Sequence, residues 1–249
     1  MIRMTDTVKH LLIINALMFV GTLAIGNGDL FYRLFSLYFP ANELFKPWQL
    51  VTHMFMHGNI NHILFNMLAL WMFGTAVEQV FGKKKFIFFY ISAGLGAAFL
   101  QLGYYYLNYM PLEGELIASG LTKGEIIQML SNNETRGGIT NAQLTNLRAL
   151  FPTFNAMMVG ASGAIMGVLV AYGMLFPESK LMLIFLPIPI KAKYFIPGII
   201  ALDLFSALTG VSIFSPSNTA YVAHIGGALT GFLMMYFWKK NQFDKYRWN

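Results

Sequence analysis

Apolar residues in this chain gather into long runs instead of alternating with polar ones. Runs over 11–26, 60–81, 86–107, 156–176, 194–214 and 220–238 each approach the roughly 20 residues that a helix needs to cross a bilayer. They predict an all-α polytopic membrane protein, a bundle of six transmembrane helices with both termini on one side. The first run also has the basic start of a signal peptide, but no convincing small-x-small cleavage site precedes Asn27 and removal would leave five spans, so it is read as a span. The apolar stretch 181–190 is too short to cross, and Pro187 and Pro189 deny it a regular helix, which makes it a connector on the side of the termini. Segment 27–55 holds Phe31, Leu34, Phe35, Leu37, Tyr38 and Phe39 among few charges and is expected in the interface.

One stretch is long and polar, the external insertion 111–154. Thr122 and Glu125 have capping-box spacing ahead of Ile126, Ile127 and Met129. A second short helix is expected over 143–150, ended by Pro152, with Gly137 and Gly138 as a hinge between the two. The insertion reads either as a loose external loop or as a lid that touches substrate.

Composition narrows the class. Of 249 residues, 56% are apolar and 11% charged, against about 25% charged in soluble domains, so a water-soluble globule is excluded and one membrane domain over 1–249 is expected. The absence of cysteine removes disulfides, thiolate metal sites and cysteine nucleophiles. A net charge of +6 in such a chain is a matter of topology and requires no nucleic acid. Of the 17 Lys and Arg, 12 fall in the terminal segments and in the connections after the second and fourth runs. The positive-inside rule then places both termini in the cytoplasm.

Polar groups at membrane depth are costly and usually functional. Ser162, in Gly160-Ala161-Ser162-Gly163, falls in the first turn of the fourth span, where free backbone N–H groups and the positive dipole end favour an oxyanion. Small residues with a serine are also common where membrane helices simply pack closely. The sixth span begins Ala223-His224-Ile225-Gly226-Gly227, and Gly227 and Gly231 share the His224 face as a GxxxG strip. Its expected partner is the fourth span, through Ser162 and Gly173, which would bring His224 beside the serine as an activating base. The second span supplies His62 and Asn66, four apart on one face and able to donate to an oxyanion. A metal site from His53, His57 and His62 is the competing idea, but no HExxH and no nearby carboxylate accompany it. Aspartyl chemistry wants two opposed aspartates, and Asp203 is the one aspartate well inside a span.

Taken together, Trp48, the run His62-Ile63-Leu64-Phe65-Asn66, Gly160-Ala161-Ser162-Gly163 and Ala223-His224-Ile225-Gly226-Gly227 resemble the rhomboid family of intramembrane serine proteases. The resemblance implies a six-helix fold and a serine endopeptidase, without cofactor or metal, that cuts in or near transmembrane segments. It implies Ser162 as nucleophile and His224 as general base, a dyad lacking a third acid. His62, Asn66 and the amides of Ser162 and Ala161 would form the oxyanion hole. Trp48, Glu78, Gly160, Gly163, Gly227 and Gly231 would be structural. Partners would be single-span membrane proteins and the bilayer, and the setting a bacterial inner membrane. Two departures stand out: Gln49 follows Trp48 where many members have arginine, and Met166 sits one turn after the serine where an aromatic is common. Asp203 is left without a partner. A base buried this way must be neutral, so activity is expected to fall as acidification protonates His224. A non-catalytic client-binding relative would usually lack the serine or histidine, and a transporter would show internal repeats, which this chain does not.

Overall fold

The computed structural model describes residues 3–183, 186–211 and 220–245. Helix α1 (Asp6–Ala24) ends at Gly26, Asn27 and Gly28, all at positive φ, and turns into the short α2 (Asp29–Phe35). Strand β1 (Leu37–Tyr38) and a looped segment lead to α3 (Gln49–Thr52) and α4 (Ile60–Ala69). A π-helical turn, Leu70–Gly74, joins α4 to α5 (Thr75–Phe81), so the second expected span is continuous. Then follow α6 (Lys83–Ala118), α7 (Lys123–Asn132), α8 (Asn141–Phe154), β2 (Met157–Met158), α9 (Ser162–Leu175), the strands β3 (Lys180–Leu183) and β4 (Leu186–Lys191), α10 (Ala192–Thr209) and α11 (Tyr221–Lys245).

The protein is a mostly helical integral membrane bundle. Among the described residues, Asp6–Ala24, Ile60–Phe81, Lys83–Ala118 and Ala192–Thr209 are long and apolar enough to cross a bilayer. Two span limits differ markedly from expectation. The fourth helix starts at Ser162, because the chain before it is non-helical: Met157–Met158 pairs antiparallel with Leu37–Tyr38 and Gly160 sits at positive φ. The third runs to Ala118, not to 107, with Pro111 inside it. At 1.5 Å per residue its 36 residues reach about 54 Å, well beyond a hydrocarbon core of about 30 Å, so part of it projects beyond that core. The end of the fifth expected span, 212–214, lies outside the described residues.

The projecting end of α6 carries the insertion, which is folded and not a loose loop. Capping boxes at Thr122/Glu125 and Thr140/Gln143 start α7 and α8. Leu116, Ile126, Leu130, Leu147, Leu150 and Phe154 close over Tyr109 and Phe39 as a hydrophobic core of their own. The helix expected over 143–150 is longer at both ends, and Pro152 lies inside it, because the tertiary packing of Phe154 keeps the last turn helical. The connector 181–190 is a hairpin: Lys180 pairs with Lys191 and Leu181 with Ile190. Prolines at alternate positions of β4 suit a strand edge.

At the centre α6, α9 and α11 meet through small residues. A Cβ built on Gly227 would lie 1.8 Å from the Gly163 carbonyl oxygen, and one on Gly231 2.7 Å from the Gly167 Cα. Gly226 lies equally close to α6, at the Gly96 carbonyl. The GxxxG strip therefore packs on the helix expected, but through Gly163 and Gly167 and not through Ser162 and Gly173. Residues 163 and 167 are four apart and match the spacing of 227 and 231, whereas Gly173 faces Ile196 of α10.

Gly227→Ala is expected to lose about 1–3 kcal/mol of stability, because its methyl group meets backbone that has no rotamer to adopt. Gly103→Ala, whose Cβ meets nothing within 4 Å, should be neutral or slightly stabilising. Thermal unfolding of both in detergent checks this, and equal midpoints would refute the close contact.

Candidate active site

Ser162 is the first residue of α9, preceded by Gly160 at φ +124, a conformation that favours glycine. The Gly160 N–H donates to the His53 carbonyl at 2.9 Å, which ties the loop before the serine to the segment 27–55. The N–H groups of Ala161 and Ser162 have no intrahelical acceptor at this helix start and sit at the positive dipole end. At 14 residues α9 is about 21 Å long, shorter than a bilayer core of about 30 Å, and irregular backbone leads into its start. Such backbone is tolerated at membrane depth only when buried in protein or lining a wet cavity.

His224, in the first turn of α11, places Nε2 2.9 Å from the Ser162 Oγ. Its other nitrogen, Nδ1, is 2.9 Å from Oδ2 of Asp203 on α10. Asp203 thus has a partner that the sequence did not reveal. Its burial inside a span was the available signal; the pairing needed the rotation of α10 against α11.

From α4, His62 and Asn66 enter on one face. The Asn59 side chain caps this helix by accepting from the His62 N–H at 2.9 Å. His62 Nε2 and Ser162 Oγ both border the place a Gly160 Cβ would occupy, 2.8 and 3.6 Å from it. Asn66 is buried on the same face, and α4 packs against α9. Met166 is buried in the main cluster.

The loop carrying β1 is anchored by Gln49, which is fully buried. Its Nε2 donates to the carbonyls of Arg33 and Leu44, at 3.0 and 2.9 Å, and its Oε1 accepts from the Lys46 N–H at 3.0 Å. Sequence reasoning singled Gln49 out only as a departure; in the structure it binds the loop through its amide. The Trp48 indole donates to the Leu34 carbonyl at 2.8 Å. Glu78 accepts from the Thr7 and Val8 N–H groups, at 3.2 and 3.0 Å, and from the Thr5 hydroxyl at 2.5 Å, so it caps the start of α1 from the end of α5.

His53 contacts the Gln49 carbonyl through Nδ1 at 2.8 Å, and the His57 and His62 rings meet edge to face at 5.0 Å. No cluster of three or more His, Asp or Glu able to hold a metal ion occurs among the described residues. A cleft of about 330 Å³ opens between β2, α6, α10 and the start of α11, lined by Tyr104, Tyr105, Met157, Met158 and Ser206; the space that Ser162 itself borders is only about 10 Å³.

Burial holds His53 neutral down to about pH 4, and burial with the neighbouring His62 lowers His57 to about 3. In the unfolded chain both protonate near pH 6.5. Between these values the unfolded state binds more protons, so stability is lost as the pH falls below 6.5. By pH 5.5 each histidine should cost about 1 kcal/mol. Melting of wild type and His57→Phe at pH 7.5 and 5.5 checks this: the variant should lose less on acidification, and an unchanged loss would contradict it.

Residues 44–241 match the rhomboid domain. The chain is 29% identical over 230 residues to the mitochondrial presenilin-associated rhomboid-like protein of Rattus norvegicus, covering 90% of this chain and 46% of that one. It is 28% identical over 196 residues to rhomboid protease AarA of Providencia stuartii, covering 75% and 54%. A shorter match, 46% identical over 48 residues, links it to rhomboid protease GluP of Bacillus subtilis, covering 19% and 10%. The chain spans about half the length of the first two relatives. With the match covering most of its length, the chain belongs to the rhomboid family.

Proposed function

We propose that this protein is an intramembrane serine endopeptidase that hydrolyses peptide bonds in or near transmembrane segments of single-span proteins. The observation that carries the reading is the 2.9 Å contact between Ser162 Oγ and His224 Nε2 at the start of a short buried helix. The proposed domain is the whole chain, 1–249. The excess of Lys and Arg in the terminal segments and the connections after the second and fourth runs supports cytoplasmic termini, and bacterial relatives support an inner membrane.

A peptide bond in a transmembrane helix is shielded by its own hydrogen bonds and by the lack of water. The substrate must therefore unwind beside the serine, and the cleft lined by Met157, Met158 and Val159, just before Ser162 in the chain, offers space for an extended segment. Ser162 attacks the carbonyl carbon as its proton passes to His224. His62, Asn66 and the amides of Ser162 and Ala161 hold the oxyanion. His224 then gives the proton to the leaving amine, and water, activated by the same imidazole, cleaves the acyl-enzyme.

Cleavage of a single-span substrate with a helix-destabilised juxtamembrane segment, in liposomes, tests this. Ser162→Ala and His224→Ala should each lose about 10⁴-fold or more in rate. Asn66→Ala should lose about 10²- to 10³-fold. Labelling of Ser162 by a fluorophosphonate without cleavage would mean a competent site with the wrong substrate. Neither cleavage nor labelling by wild type would refute the protease reading.

A further inference from the structure

We infer that Asp203 is a positioning residue that fixes the tautomer and orientation of His224, so that Ser162, His224 and Asp203 act together as a triad assembled from α9, α11 and α10, the proton passing only between serine and histidine. The inference rests on the serine protease reading and goes beyond a dyad. Its basis is a continuous line of contacts, Asp203 Oδ2 to His224 Nδ1 and His224 Nε2 to Ser162 Oγ, each 2.9 Å. Both ends of the imidazole are engaged, and both side chains are largely buried, at 14% and 9% exposure.

Neutral imidazole carries its proton on one nitrogen, and only the bare nitrogen accepts from serine. A carboxylate can only accept, so a carboxylate at Nδ1 selects the tautomer with the proton on Nδ1 and the lone pair on Nε2. Without it the ring could turn or adopt the opposite tautomer, which cannot take the serine proton. The same contact accounts for an aspartate buried within a span, where an unpaired carboxylate is costly. Among the described residues no lysine or arginine pairs with Asp203. Other groups around the imidazole do not duplicate its role: His62 on α4 lacks a negative charge, and the α6 residue nearest the start of α11, Gln101, accepts from the Ala223 N–H.

In the reacting sequence the Oγ–H bond breaks, its proton goes to Nε2, and the C–O bond forms as the carbonyl pair moves to the oxyanion. The positive charge on the ring then develops 2.9 Å from the carboxylate, in surroundings of low dielectric. When the C–N bond breaks, the proton leaves Nε2 for the amine. Asp203 stays ionised throughout and takes no proton.

The test compares wild type, Ser162→Ala, Asp203→Asn and Asp203→Glu in liposomes, with kcat and KM separated, fluorophosphonate labelling rates and melting midpoints. Asparagine can turn its amide N–H toward Nδ1 and so favour the wrong tautomer. Asp203→Asn should therefore lower kcat and labelling about 10²- to 10⁴-fold while KM stays near wild type. Asp203→Glu should recover part of that loss, because it restores the acceptor. Near-wild-type kcat and labelling in Asp203→Asn would overturn the proposal, as would a loss confined to KM or a loss that glutamate does not relieve. If Asp203→Asn fails to fold, ¹⁵N NMR of the His224 ring in wild type decides: a proton on Nδ1 upholds the positioning role and one on Nε2 overturns it. Failure of wild type to cleave or to be labelled would instead count against the protease reading, and the NMR result would still decide the pairing.

Discussion

The arrangement depends on the backbone-to-backbone contact between α9 and α11. Gly163 against Gly227 and Gly167 against Gly231 leave no room for a single methyl group, so the two helices sit at the closest distance their chains permit. In a bilayer there is no hydrophobic force between helices, and close packing of small residues supplies the attraction. That closeness brings a short side chain such as serine within 2.9 Å of the imidazole on a neighbouring helix. A larger separation would leave the hydroxyl out of reach.

Around this contact, separate anchors hold the pieces that the membrane does not order. Glu78 caps the start of α1, Gln49 stitches the segment between α2 and α3 to itself, and the Gly160 N–H bonds back to His53. The insertion helps from above: Asn42 donates to the Phe154 carbonyl at 3.0 Å, and Asn155 donates to the Leu130 carbonyl at 3.2 Å. The chain leaving α8 therefore enters β2 and the Ser162 turn from a fixed point. A packed insertion suits a precise site better than a loose loop would.

Each of Ser162, His224 and Asp203 satisfies another, which limits the cost of burying them. The departures from the commoner family pattern fit the same logic. Gln49 reaches backbone groups on both sides of its loop, and Met166 fills buried space near the reacting residues with a flexible thioether.

The run lengths and charge distribution made the membrane class readable, because apolar runs near 20 residues have few alternatives in a chain with 11% charged residues. The order of Trp48, His62, Asn66, Ser162 and His224 made the family readable, and GxxxG spacing pointed α11 at α9. Local signals also foretold the Thr122 cap, since a capping box involves residues only three apart. The rest required contacts between distant segments. Which glycines touch, and that α6 runs on through Pro111, follow from packing that a local pattern does not encode. Likewise Met157–Met158 reads as the start of a span until it pairs with a strand 120 residues earlier. The partner of Asp203 was settled only by the rotation of α10 about its own axis. Helix periodicity relates side chains within one helix, and nothing in it relates the face of one helix to that of the next.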